Sequence, residues 1–252
     1  MKDMKQQANE LHCEVCGKLL EVTASYISHD KAYCCEGCYL AALTQHETQQ
    51  QHDQTYLVLA ESLVAALDAR EHETALHSKR VACHTQILAR QFTNDRYYLQ
   101  QIYLGALLHD IGKIAIPDTI LLKNGPLTET EWTVMHSHPQ RGYDIVSALP
   151  FMQVATQIIL CHEERYDGGG YPEGLAGEAI PWGARIFAVI DTLDAMTNDR
   201  TYRKAMDFDV ALDEIIKQAG HQFDPKAVDA LLAEQEKLRE MVAIKCAMKP
   251  DL

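Results

Sequence analysis

Positive charge is scarce in this chain: 23 Lys and Arg stand against 36 Asp and Glu in 252 residues, a net charge of −13. That deficit excludes a general nucleic-acid binder, which needs a basic face to displace counterions from phosphates, and it argues against docking on an anionic membrane. Long apolar runs are missing too. Stretches such as Tyr56–Ala60 and Ile102–Leu108 fall far short of a bilayer span. The opening MKDMKQQANELHC lacks the apolar centre of a signal peptide, so a cytoplasmic location is expected. Past residue 50 there are no convincing strand pairs and no internal repeat. The hydrophobic fraction of 47% is nonetheless enough for a buried core and excludes wholesale disorder.

What the chain has in excess is sulfur and imidazole, with 8 Cys and 12 His. Cytosolic thiols stay reduced and serve more often as metal ligands than as disulfides. Five of the cysteines fall within residues 13–38, which predicts a Cys-rich module and linker over 1–50 and a larger domain over 51–252. The polar stretch Thr44–Thr55 reads equally as a linker or an exposed helix. From Tyr56 onward apolar residues recur near a 3.6 period, predicting helices over 97–110, 129–147, 151–165, 181–197, 207–219 and 225–240. Asp167–Pro181 holds five glycines and two prolines and must be a loop. The fold class expected is mainly α.

Cys13-x-x-Cys16 and Cys35-x-x-Cys38 stand eighteen residues apart, with Cys34 adjacent. Two short-spaced pairs on two knuckles can converge four thiolates on one zinc ion. Gly17 and Gly37 sit where a knuckle wants positive φ. The spacing leaves open Cys34 in place of Cys35, and His12 or His29 in place of one thiolate. The string CEVCG…AYCCEGC resembles the treble-clef-like modules that precede some heavy-metal-transporting ATPases. A structural zinc that lets so short a segment fold is the reading preferred over a metal or redox sensor.

In the larger domain, Glu73 and His77 stand four apart on one helical face, and His109-Asp110 is followed by Gly112 and Lys113. His138, His162-Glu163, Asp191 and Asp194 follow. Imidazole and carboxylate donors in this mixture suit Mn, Fe or Zn. An Asp beside a His can bridge two metals, and such a pair clamps a phosphate and activates water for in-line attack. His84 and His136 read as hydrogen-bonded or exposed residues, and Arg185 and Asp194 as residues that orient a ligand or lock a helix. Asp167-Gly168-Gly169-Gly170 is no P-loop, because the Lys-Ser/Thr ending is missing.

The strings LLHDIGKIAIPD, HSHPQRGYDI and YDGGGYPEGLAGEAIPWGARIFAVIDTLDAMTNDRTYRKA, with AREHETALHSKRV before them and AGHQFDP after, resemble the HD-GYP subgroup of HD-domain phosphohydrolases. The resemblance covers residues 66–226 and includes Gly170-Tyr171-Pro172. It implies an HD-domain helical bundle and hydrolysis of cyclic di-GMP to pGpG or GMP by a metal-bound hydroxide on two or three divalent metals, Fe or Mn before others. It implies metal ligation by His77, His109, Asp110, His138, His162 and Asp191, with Glu73 at a third metal. Lys113 matches the lysine over the scissile phosphate, and Tyr171, Arg200 and Arg203 match nucleotide contacts. Where the family usually has a second consecutive histidine, this chain has Glu163, a competent oxygen ligand that would add negative charge. The partner implied is the cyclic dinucleotide, with no nucleic-acid polymer and no membrane; a homodimer is left open. Two other readings remain: a weak or inactive cyclic di-GMP-binding signalling protein governed by its metal module, and an HD hydrolase of ordinary nucleotides.

Overall fold

Two three-residue strands, β1 (Tyr26–Ser28) and β2 (Lys31–Tyr33), pair antiparallel with Tyr26 opposite Tyr33, Ile27 opposite Ala32 and Ser28 opposite Lys31. The computed structural model describes residues 12–20, 26–28, 31–71, 76–149, 151–199 and 204–244, and the chain divides into two compact units, Met1–Tyr56 and Leu57–Leu252. In the first unit the backbone folds Cys13 and Cys16 into a knuckle. Cys13 N donates to Lys18 O at 2.9 Å, and Gly17 N donates to Cys13 O at 2.9 Å. Gly17 takes φ +70°, a conformation open to it for want of a Cβ. Gly37 does not need that freedom: it lies in the first turn of α1 (Glu36–Glu71) and has no positive φ. The polar stretch Thr44–Thr55 is helical, part of α1.

The second unit is helical among its described residues: after α1 come α2 (His77–Ala89), α3 (Arg96–Leu107), α4 (Asp118–Leu121), α5 (Glu129–Met135), α6 (His138–Val146), α7 (Gln153–Cys161), α8 (Trp182–Thr197), α9 (Phe208–Lys217), α10 (Pro225–Ala233) and α11 (Gln235–Ala243). A 3-10 turn, Ile111–Ala115, links α3 to α4. Side-chain caps set several starts. Asp95 accepts from Tyr98 N at α3, Thr128 and Glu131 form a capping box at α5, and Asp224 accepts from Lys226 N ahead of Pro225 at α10. The segments expected as single helices over 129–147 and 225–240 are each split, at His136–Ser137 and at Glu234.

α3, α7 and α8 are apolar on most sides, the pattern of helices packed on all sides rather than along one stripe. Ile102, Leu104 and Leu107 of α3, Ile158 and Ile159 of α7, and Ile186, Phe187 and Ile190 of α8 are fully buried in one core. Each such side chain contributes about 1.5–3 kcal/mol relative to exposure. This rigid centre fixes the ends of α3 and α7 and the middle of α8. No helix among the described residues is long and apolar enough to cross a membrane.

Candidate metal centre

Each histidine in the centre sits at or next to a helix end. His109 follows α3, His138 opens α6, His162 caps the C-terminus of α7, and His77 opens α2. Helix ends leave backbone groups without partners inside the helix, and the imidazoles use some of them. Nδ1 of His109, His138 and His162 lies 2.9, 2.8 and 2.8 Å from the carbonyl three residues back, of Ala106, Met135 and Ile159. Donating there fixes the Nδ1–H tautomer and turns the Nε2 lone pair inward. His77 is oriented by a side chain instead: its Nδ1 is 2.7 Å from Asp194 Oδ2. Asp194 is in turn clamped by Arg80, whose Nε and Nη2 donate to it at 2.7 and 3.0 Å.

Two triads result, His77–His109–Asp191 and Asp110–His138–His162, each with its ligand atoms within 4.8 Å of one another. Asp110 faces both. Its Oδ2 is 3.0 Å from His109 Nε2 and 2.8 Å from Lys113 Nζ, while its Oδ1 is 3.3 Å from His138 Nε2 and 3.9 Å from His162 Nε2. Glu163 Oε1 lies 4.0 Å from His162 Nε2 on the more exposed side, and Tyr171 N donates to Glu163 O at 3.2 Å. One face of the Tyr171 ring is covered by His136, stacked at 4.1 Å.

Two observations test whether these donors suit divalent ions. The Nε2 atoms of His138 and His162 are 3.0 Å apart with both Nδ1 atoms committed to carbonyls, so two lone pairs converge where a cation would relieve them. Ligand distances of about 2.0–2.1 Å put two nitrogens on one ion at about this separation. Asp191 Oδ1 is buried without a hydrogen bond, 3.4 Å from His77 Nε2. The donors fit. Electrostatics agree. Burial and the neighbouring His138 and His109 push His162 down to about 3, so it stays neutral and free to ligate. Burial opposes a charge on His77, but Asp191 and Asp194 outweigh it and raise the ring to about 10. Partial burial opposes the charge on Asp110, yet His109 and Lys113 hold it well below the usual carboxylate range. A divalent cation bound there would balance the same two carboxylates that raise His77.

Surrounding residues hold the frame. Arg70 donates to the carbonyls of Lys113, Ile114 and Ile116 and pairs with Asp118, bracing the turn that carries Lys113. Glu71 Oε2 is 3.8 Å from Lys113 Nζ. Gly112 in the same turn lies so close to α6 that a Cβ there would be 1.9 Å from His138 O. Glu164 is buried and accepts from Glu173 N and Leu175 N, tying down the glycine-rich loop. Arg185 pairs with Asp224 at 2.5 Å, away from the triads. Arg70 and Arg80 escaped the sequence reading, and Glu164, for which that reading held open a solvent-facing position, is buried instead. Arg80 had a signal, standing three residues after His77 on the same helical face. Glu73, Arg200 and Arg203 lie outside the described residues.

In the first unit the sulfurs of Cys13, Cys16, Cys34 and Cys38 lie within 4.8 Å of one another. Cys34 Sγ is 3.5 Å from both Cys16 and Cys38, near the roughly 3.8 Å edge of a tetrahedron with Zn–S of about 2.3 Å. The set takes the Cys-x3-Cys spacing; Cys35 is exposed and outside it, as is His12. His29 lies outside the described residues.

A model of the HD domain matches residues 58–227. The chain belongs to the HD-domain family. The HD domain uses divalent metals, in keeping with the donor set above. Among curated relatives, the "Cyclic di-GMP phosphodiesterase response regulator RpfG" of Xanthomonas campestris pv. campestris is 40% identical over 229 residues, 90% of this chain and 59% of that protein. A "Cyclic di-GMP phosphodiesterase" of Vibrio cholerae is 37% identical over 79% of this chain and 43% of its own length. The "3'3'-cGAMP-specific phosphodiesterase 2" of the same organism is 38% identical over 77% and 37%. The chain thus spans less than two thirds of the length of these relatives. The solved structure of a V. cholerae cyclic GMP-AMP phosphodiesterase, V-cGAP3, shares the fold of the HD domain, with a TM-score of 0.57 at 24% identity over 74% of this chain and 51% of that one.

Proposed function

We propose that the chain is a metal-dependent phosphodiesterase that opens cyclic di-GMP to pGpG, GMP or both. The observation that carries this reading is Asp110, one carboxylate with an oxygen turned to each of two histidine triads. That arrangement suits two ions held side by side against one phosphate. His77, His109 and Asp191 would hold one and His138 and His162 the other, with Asp110 shared. Glu163 offers a further oxygen on the second side, and Glu73 belongs to the reading by sequence alone. The carboxylate share of this donor set favours Mn or Fe, and the four-sulfur set of the first unit favours Zn. The relatives' activities, named as cyclic di-GMP and cyclic GMP-AMP phosphodiesterases, support the substrate class.

Bound metals supply a water of lowered pKa and polarise the phosphoryl oxygens. The protein supplies the geometry. Lys113, held by Asp110 and braced through Arg70, brings a cation to the edge of the centre, where it offsets charge developing on the phosphorane. Tyr171 has one face taken by His136, which leaves its other face to stack a guanine. Arg200 and Arg203 contact the nucleotide on the motif alone. A cytoplasmic site of action goes with a soluble second messenger as substrate. The test is turnover of cyclic di-GMP by protein loaded with Mn or Fe, beside Asp110→Ala. The reading expects linear product from the first and none from the second; undiminished product from Asp110→Ala would overturn it.

A further inference from the structure

A cavity of about 640 Å3 opens beside the first triad, and Asp191 is part of its wall. Its other polar lining comes from Thr192 of α8, Glu214 of α9, Gln218 capping the end of α9, Gln222 in the following turn, and Arg165, with Met196 of α8 on an apolar side. The volume is that of an ordinary small-molecule site. Because Asp191 belongs to both, a phosphodiester seated at the triads would extend an attached nucleoside into this space.

The lining matches one base better than others. Guanine presents N1–H and the exocyclic amine side by side, two donors that a carboxylate accepts together. Adenine places a bare acceptor at the same position, which a carboxylate repels. Glu214 is half exposed, and its Oε1 accepts from Gln218 Nε2 at 3.2 Å, which orients the carboxylate while leaving lone pairs on both oxygens. The segment bearing Gln222 is fixed to the start of the glycine-rich loop: Tyr166 N donates to Gln222 O at 3.1 Å and Asp167 N to His221 O at 2.7 Å. The Gln222 amide is thereby carried on a backbone that need not reorganise to meet the acceptors of guanine O6 and N7. Arg165 is held by Asp167 at 3.1 and 2.9 Å, and Met196 gives a polarisable apolar surface for the flat face of a base.

We propose that this cavity is a guanine-recognition subsite and that Glu214 is its specificity-determining residue. The inference rests on the cyclic-dinucleotide reading above. The experiment compares cyclic di-GMP with cyclic di-AMP as substrates of the Mn-loaded full chain, in wild type, Glu214→Gln and Lys217→Ala, with thermal melts as a check on folding. Wild type is expected to prefer cyclic di-GMP. Glu214→Gln should lose about 10- to 100-fold in kcat/KM for cyclic di-GMP, carried by KM rather than kcat, with preference over cyclic di-AMP falling by a similar factor. Lys217→Ala, which removes a cation 3.8 Å from the same carboxylate, should leave the preference intact. A Glu214→Gln variant within about twofold of wild type in both kcat/KM and preference overturns the subsite while leaving the enzymatic reading standing. A wild-type chain that neither binds nor hydrolyses cyclic di-GMP overturns that reading and the subsite with it.

Discussion

Gly112→Ala is the substitution that most directly tests how the second triad is held. Gly112 has no positive φ, so alanine suits its backbone. Were there space, the change would stabilise the protein by about 0.4–1 kcal/mol through a less flexible unfolded chain. There is no space. The new Cβ would lie 1.9 Å from His138 O and 2.5 Å from Gly142 N, both backbone atoms of α6. Relief to ordinary contact requires the turn and α6 to separate by more than about 1 Å, and overpacking of this kind costs about 1–3 kcal/mol. The predicted sign is therefore destabilisation, lowering Tm by about 2–4 °C for each kcal/mol in a chain of this size. The displacement falls on His138, whose Nε2 lies 3.3 Å from Asp110 Oδ1 and 3.0 Å from His162 Nε2. A misplacement of that size costs about 100-fold in turnover, and one equivalent of metal should be lost from the purified protein. Calorimetry and elemental analysis decide it. A Gly112→Ala variant with raised Tm and unchanged metal content would refute the close-approach argument.

Asp194→Asn leaves Arg80 as a buried charge without its carboxylate and weakens the orientation of His77; the expected result is a loss of about 3–5 kcal/mol in urea denaturation together with about 10- to 100-fold weaker metal binding. His84 is buried with neither ring nitrogen hydrogen-bonded, and burial pushes it down to about 4 from 6.5. Its neutral form is favoured in the fold, so its share of stability is present above pH 6.5 and is lost as pH falls towards 4, about 2 kcal/mol between pH 7 and pH 5; His84→Leu should remove that part of the metal-free protein's pH dependence, and an unaltered difference between urea midpoints at the two pH values would contradict the assignment. In the first unit Cys34→Ser should abolish zinc retention while Cys35→Ser keeps one equivalent, as read by elemental analysis; equal loss from both would place Cys35 among the ligands.

Where the sequence carried periodicity or side-chain chemistry, the fold could be read in advance. α3 and α8 were legible from dense apolar positions, and Asp224-Pro225 marked the start of α10. The break ahead of α6 also had a signal, because Pro139 cannot donate a helical hydrogen bond and crowds the preceding turn. The break at Glu234 had none: Glu234 is an ordinary helix residue whose N–H reaches back to Ala230, Leu231 and Leu232, and packing decides where α10 ends. Motif order grouped His77, His109, Asp110, His138, His162 and Asp191, yet it could not divide them into triads, since that division depends on which helix ends converge. The choice between Cys34 and Cys35 was invisible for the same reason, as adjacent residues at the entry to a helix point in different directions.

The carbonyls of Ala106, Met135 and Ile159 orient three of the four imidazoles, and a main-chain carbonyl is present whatever side chain stands at its position. Point mutation cannot delete those three supports. Only His77 depends on side chains, through Asp194 and Arg80. The two halves of the centre thus differ in evolvability: in the Asp110–His138–His162 half no side-chain deletion can remove the acceptor that orients an imidazole, whereas in the His77 half such a deletion can retune metal affinity while the ligands themselves stay constant.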